Sequence, residues 1–223
     1  MPFEISLIVF DFYGTLVNTA EAASRCAEVT SDAEAFSSKW RTKQIEYTLW
    51  LSMIGRYRNF IAVTEAALEF TLRQFGVNSD KSQRARLMSA WSQPVAYPEV
   101  AKALPELARG HELVILSNGT DEMLASGLVH IGLRECFSRV LSTDLVQVYK
   151  PSPRVYELVL KECGVPKEKV LFVSSNSFDV IGAESFGFKV CRVDRHETAL
   201  DPLGFEPAIT VADLNELVRE IAA

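Results

Sequence analysis

Four short stretches close apolar runs with side chains that can do chemistry. They are D-F-Y-G-T (11–15), S-N-G-T (117–120), Y-K-P-S-P (149–153) and S-S-N-S-F-D (174–179). Together they supply carboxylates, hydroxyls, amides and an amine. Each alone has an ordinary structural explanation. Ser117-Asn118-Gly119 is turn chemistry. A lysine before a proline is usually solvated, and Asp179 suits a helix start, where the dipole favours an acid. Four such ends brought to one edge are not explained by capping. They make one polar site.

The elements that must gather them are short apolar runs: SLIVFD (6–11), ELVILSN (112–118), RVLS (139–142), KVLFVSSN (169–176), FKVCRV (188–193) and AITV (208–211). These are β-branched and do not alternate with polar residues, so they read as strands buried on both faces. Helical patterns lie between them at 98–109, 121–132, 152–164 and 213–223. In the third, Pro153 lies in the first turn and Gly164 at the end, as helix signals should. Strands alternating with helices predict an α/β fold, a doubly wound, Rossmann-like parallel sheet. In such sheets ligands bind at the C-terminal edge of the strands.

The exception to the alternation is residues 16–97, about eighty residues of mostly helical pattern, including 33–53 and 60–76. A connection that long needs its own structure. It is expected to be an inserted helical cap, with residues 1–15 and 98–223 forming the catalytic core.

Composition narrows the function. The chain has 223 residues and a net charge of −6, which argues against a nucleic-acid partner. The N-terminus has no basic region or cleavage site of a signal peptide. No apolar stretch approaches a membrane span, so no membrane partner is expected. Cys26, Cys136, Cys163 and Cys191 form no CxxC. They read as free thiols in a reducing cytoplasm. His111, His130 and His196 lie outside every motif, which disfavours a histidine-based hydrolase.

The order and spacing of the four polar ends resemble the haloacid dehalogenase superfamily over essentially the whole chain. Asp11 matches the nucleophile of the first motif, Ser117 the second, Lys150 the third and Asp179 the acid of the fourth. Superfamily phosphatases carry a second Asp two residues after the first, to protonate the leaving group. Tyr13 stands there instead. A halide needs no proton, and D-x-Y-G-T is similar to the type II (S)-2-haloacid dehalogenases. WRTKQIEYTLWLSMIGRYRNF (40–60) resembles the cap signature of that subfamily.

The resemblance implies hydrolysis of short-chain (S)-2-haloacids to (R)-2-hydroxy acids, with inversion, through an ester on Asp11. It implies Arg41 and Asn118 as donors to the departing halide, with Ile45, Phe60 and Phe178 walling the pocket. Ser117 and the backbone N–H groups of Phe12, Tyr13 and Asn118 would hold the substrate carboxylate. Thr15 would orient Asp11, Lys150 would offset its charge, and Tyr156 would support the array. Asp179, with Ser174 and Asn176, would position the hydrolytic water. No metal or cofactor is expected, because Lys150 and Asn176 take a metal's place. Phe178 stands where many relatives carry Trp, and the loss of an indole donor implies a different halide size preference. A homodimer through the apolar segment 49–60 is expected. The alternatives are a magnesium-dependent phosphatase of the same superfamily, or a hydrolase that opens a small cyclic amino acid.

Overall fold

The computed structural model describes residues 4–222. In chain order the elements begin with β1 (Leu7–Phe10), β2 (Val17–Asn18), α1 (Ala22–Cys26), α2 (Ala33–Met53), α3 (Phe60–Gln74), α4 (Lys81–Met88) and β3 (Val95–Ala96). There follow α5 (Val100–Leu107), β4 (Glu112–Ser117), α6 (Asp121–His130), β5 (Arg139–Ser142), α7 (Pro153–Cys163), β6 (Val170–Ser174), α8 (Ser177–Phe186), β7 (Lys189–Val193), β8 (Ile209–Val211) and α9 (Leu214–Ala222).

Six strands form one parallel sheet in the order β5-β4-β1-β6-β7-β8. All six apolar runs read from the sequence are its strands. β1 shows why its sequence does not alternate. Ile8 and Phe10 enter the apolar layer on one face, with Val100, Leu104, Leu124 and Leu214. Leu7 and Val9 enter the opposite layer, with Val155, Val159 and Val180. All four β1 residues are completely buried. Helices therefore cover both faces, as a parallel sheet requires.

β1 lies between β4 and β6, so the polar turns after these three strands are neighbours. Local signals fix the helices that follow. Thr120 accepts the Met123 N–H at 3.2 Å and caps α6. Pro153 opens α7, and Gly164 ends it in the left-handed region (φ 67°).

After Asp11 the chain leaves the sheet, makes four helices and returns at β3. β2 and β3 form a two-stranded antiparallel ribbon where it leaves and returns. The Tyr97 N–H also donates to Leu16 O at 3.1 Å. The sequence does not predict this ribbon, because two residues carry no period. α2 and α3 pack together. Trp40 Nε1 donates to Thr64 O at 2.9 Å, and Gln44 Nε2 donates to Thr64 Oγ1 at 2.9 Å. Trp50, Met53 and Ile54, at the end of α2, are exposed. Among the described residues no helix is long and apolar enough to cross a membrane.

Candidate active site

Asp11 follows the last residue of β1 and is almost fully buried. Left alone there, an ionised carboxylate would be costly. Three donors hold it. Lys150 Nζ donates to Oδ1 at 3.0 Å. Thr15 Oγ1 and Asn176 Nδ2 donate to Oδ2 at 3.0 and 2.8 Å. Asn176 Nδ2 also donates to Tyr13 O at 3.0 Å, so it ties the turn after β6 to the turn after β1. Gly14 makes that turn possible. Its φ is +90°, a conformation that side chains with a Cβ rarely adopt.

Asp179 lies in the first turn of α8 and is completely buried. Lys150 Nζ donates to its Oδ2 at 2.9 Å, Ser174 Oγ to the same oxygen at 3.3 Å, and Tyr156 OH to Oδ1 at 2.9 Å. One ammonium thus bridges two buried carboxylates. Burial alone would lower the Lys150 pKa, but Asp11 and Asp179 overcome it and the pKa is raised. The Asp179 carboxyl is pushed up to about 6, first by burial and then by Asp11, with Lys150 opposing. Burial and the neighbouring Asp179 push the Tyr156 phenol upward. The carboxylate oxygens that face each other already accept from Lys150. This donor set does not fit a divalent cation between them, because the ammonium stands in that position.

Above Asp11 is a small cavity of about 10 Å³, roughly the room of one water molecule. Its floor is Asp11, Tyr13, Ser117 and Asn118, and its far wall is Arg41, Ile45, Thr48, Phe60 and Phe178. Arg41, Ile45 and Thr48 are spaced i, i+4, i+7 on α2 and so share one helix face. Burial lowers the Arg41 pKa, and the Asp11 and Asp179 carboxylates oppose that shift. Arg41 and Ile45 also line a neighbouring cleft of about 460 Å³, between α2 and the start of α1. The same two side chains therefore separate the cavity from a wider approach.

Asn118 is oriented. Its Oδ1 accepts the Lys150 N–H at 3.1 Å, which leaves the NH₂ end as the available donor. Ser117 Oγ accepts the Gly119 N–H at 3.1 Å, which leaves its proton to donate.

Tyr13 is not a replacement acid. Its hydroxyl donates to Trp91 O at 2.6 Å, and burial raises its pKa. Its ring lines the cavity and lies edge-on to Trp91. A Cβ at Gly119 would approach that ring to 2.9 Å, which explains the glycine in S-N-G-T.

Every residue singled out in the sequence is in or beside this array, with one qualification. The Phe12 side chain is in the apolar core, beside Gly127, and only its backbone is available to the site. His111, His130 and His196 line no part of the cavity. Sequence reasoning missed Thr48, Trp91 and Gly182. The i+7 spacing from Arg41 marks Thr48. Gly182 is three residues after Asp179, and a Cβ there would meet Tyr156 OH at 2.4 Å. That glycine lets the phenol reach Asp179. Trp91 carries no signal, because its contacts come from chain that returns to the core.

A family model for haloacid dehalogenase-like hydrolases matches residues 5–187. A curated (S)-2-haloacid dehalogenase of Pseudomonas sp. (strain YL) is 41% identical over 214 residues, 95% of this chain and 92% of that protein. Haloacetate dehalogenase H-2 of Moraxella sp. (strain B) is 36% identical over 98% of this chain and 99% of that protein. A solved structure of the L-2-haloacid dehalogenase from Xanthobacter autotrophicus, with chloropropionic acid covalently bound, superposes with a TM-score of 0.90 at 35% identity. It covers 98% of this chain and 99% of that one.

Proposed function

The chain belongs to the haloacid dehalogenase-like hydrolase family, and we propose that it hydrolyses the carbon–halogen bond of short-chain (S)-2-haloacids with inversion at C2. The observation that carries this reading is the cavity lined by both Asp11 and Arg41. It places an anionic oxygen opposite a cation, with little room between them.

In the first step a carboxylate oxygen of Asp11 attacks C2, and the C–halogen bond breaks with its electron pair going to the halide. Arg41 and the Asn118 NH₂ receive the halide, and the apolar walls deny it competing water. The product is an ester between Asp11 and the acid. Ser117 Oγ and the backbone N–H groups of Phe12, Tyr13 and Asn118 hold the substrate carboxylate. Turning backbone of this kind presents N–H groups to anions.

In the second step water adds to the Asp11 carbonyl carbon. The ester bond to Asp11 breaks, which releases the (R)-2-hydroxy acid and restores Asp11 with the added oxygen. Asp179 takes one proton of the water and passes it to the departing alkoxide oxygen, and the other proton leaves for solvent as Asp11 returns to its carboxylate. Ser174 and Tyr156 hold Asp179 in place, and Thr15 and Asn176 hold Asp11. Splitting one displacement into two steps lowers each barrier. No step needs a metal. A phosphatase mechanism lacks its acid here, because the Tyr13 hydroxyl is committed to Trp91 O.

The test compares chloride release from (S)- and (R)-2-chloropropionate in EDTA with p-nitrophenyl phosphate hydrolysis in magnesium. Chloride from the (S) acid alone, with (R)-lactate formed, is the expected result. Magnesium-dependent phosphate release without chloride would sink the reading.

The second step carries a pH signature. Asp179, facing Lys150, Tyr156, Ser174 and Asp11, must be ionised to accept a proton, and its carboxyl titrates at about 6. Ester hydrolysis in a single turnover is expected to lose about tenfold per unit of pH below that value. A flat rate down to about pH 5 would remove Asp179 from this role. Stability moves the opposite way. The folded pKa lies above the ordinary carboxylate value near 4, so the folded state binds the extra proton between about 4 and 6. Asp179's contribution to stability therefore declines as pH rises through the window in which activity appears.

The free cysteines suit a reducing compartment, and the proposed location is the cytoplasm. The exposed Trp50, Met53 and Ile54 are proposed to be covered by a second copy of the chain.

A further inference from the structure

A buried charge cluster lies outside this mechanism. Arg195 follows β7 and is in none of the four polar ends. Its Nε donates to Glu99 Oε1 at 2.9 Å, and Nη2 reaches the same oxygen. Nη2 also donates to Thr15 O at 3.0 Å, and Nη1 to Ser175 Oγ at 3.2 Å. The guanidinium carbon lies 3.7 Å from the centre of the Tyr97 ring. The Arg195 and Glu99 side chains are only 11% and 10% exposed.

These partners come from three places. Thr15 is in the turn after β1, Ser175 is in the turn after β6, and Tyr97 and Glu99 are where the insertion rejoins the core. Thr15 is held at two points. Arg195 takes its carbonyl. Its Oγ1 accepts the Ser175 N–H at 3.0 Å and donates to Asp11 Oδ2 at 3.0 Å. Two residue-to-residue links therefore join the guanidinium to the nucleophile. Tyr97, under the guanidinium, donates its N–H to Leu16 O beside the β2–β3 ribbon.

We propose that Arg195 is a positioning residue, which fixes the Asp11 carboxylate through Thr15 and ties its geometry to the point where the cap rejoins the core. The residue type supports this. A flat guanidinium can serve a carboxylate, a carbonyl and a hydroxyl from its edges while its face lies on a ring. A lysine ammonium offers neither the fork nor the face. An exposed ion pair would contribute little. This one is largely buried and uses each of its three nitrogens. Attack by Asp11 depends on orientation, and a shift of about 1 Å can cost on the order of a hundredfold in rate.

The inference rests on the dehalogenase reading, and the experiment separates the two. The full chain, Arg195→Gln, Arg195→Lys, Thr15→Ala and the Thr15→Ala/Arg195→Gln double variant are compared on (S)-2-chloropropionate. Thermal unfolding is followed in parallel. Arg195→Gln is expected to lower kcat by about 10–100-fold, with KM changed by less than about threefold. Arg195→Lys should recover only part of that loss. In the Thr15→Ala background the second substitution should lower kcat by less than about threefold, because residues acting through one chain of contacts are not additive.

Equal losses in both backgrounds would overturn the proposal. So would an unchanged kcat accompanied only by a lower unfolding temperature. Should Arg195→Gln fail to fold, Glu99→Gln frees the same fork, and the same two outcomes decide. An active wild-type protein with a fully active Arg195→Gln variant defeats the Arg195 proposal alone. A wild-type protein that releases no halide defeats the functional reading and this inference with it.

Discussion

Asp11→Asn is expected to lower halide release by at least about 10⁴-fold, as loss of a covalent nucleophile does in other hydrolases. An amide oxygen carries no negative charge and is a poor nucleophile for a saturated carbon. The substitution is nearly isosteric. The carboxamide oxygen can still accept from one of the present donors, so the protein should fold. The NH₂ end would face either Lys150 or the Thr15–Asn176 pair, all of which are donors at present. Some destabilisation is expected, but not loss of the fold. Two measurements check this: chloride release over hours, and the intact mass of the protein after incubation with (S)-2-chloropropionate. The wild-type chain trapped during turnover should gain the mass of the acid without its halogen, and the variant should gain nothing. An Asp11→Asn variant that still turns over, with its amide intact by mass, would exclude the ester route.

Lys150→Met should cost both activity and stability. Lys150 is the cation between two buried carboxylates, at 3.0 and 2.9 Å. Removing one partner of a buried charge cluster costs on the order of 3–5 kcal/mol, because the charges left behind have no compensation. The pH dependence identifies the cause. The Lys150 pKa is raised on folding, so its contribution is fully present below the ordinary lysine value near 10.4 and fades only above it. The wild-type cluster is therefore intact at neutral pH. In the variant, Asp11 and Asp179 face each other unscreened, and a proton becomes the only way to lower that energy. The loss of stability should be larger at about pH 8 than at about pH 5, where a carboxyl can protonate. Halide release should fall at least about a hundredfold at neutral pH, because Asp11 loses the donor that orients its Oδ1 and an unpaired Asp179 holds its proton. A variant as stable as wild type across that range would show that the ammonium is not what holds the carboxylates.

The sheet was legible because both its faces are covered. Each strand is a short apolar run, and each ends where a polar turn begins. The cap signature was legible for a different reason. Most of it turns out to be packing. Trp40 and Gln44 join α2 to Thr64 of α3, and Lys43 pairs with Glu46 and lies over the Tyr47, Trp50 and Phe70 rings. Arg41, between them in sequence, faces the cavity. A recognisable pattern thus marked the right helix while saying little about which residue acts. Tyr13 shows the reverse. Its position suggested chemistry, and its hydroxyl proved to be an anchor on Trp91. Gly182, Trp91 and Arg195 escaped notice because their importance comes from what the fold puts beside them. A glycine that yields room to a phenol twenty-six residues away in sequence, Tyr156 to Gly182, has no local signature.

The place of β1 in the sheet bears on how the chain is made. It is synthesised before both of its partners, β4 and β6, yet it lies between them in the middle of the sheet. Synthesis runs at about 5–20 residues per second, so Leu7–Phe10 waits roughly 5–20 s for the end of β4 and longer for β6. During that time four apolar residues have two bare strand edges. The helices of the insertion, whose contacts are more local, emerge in the interval and can form first. The nascent chain would then carry a folded cap on an unfinished core, with the strand that bears Asp11 as its most aggregation-prone segment.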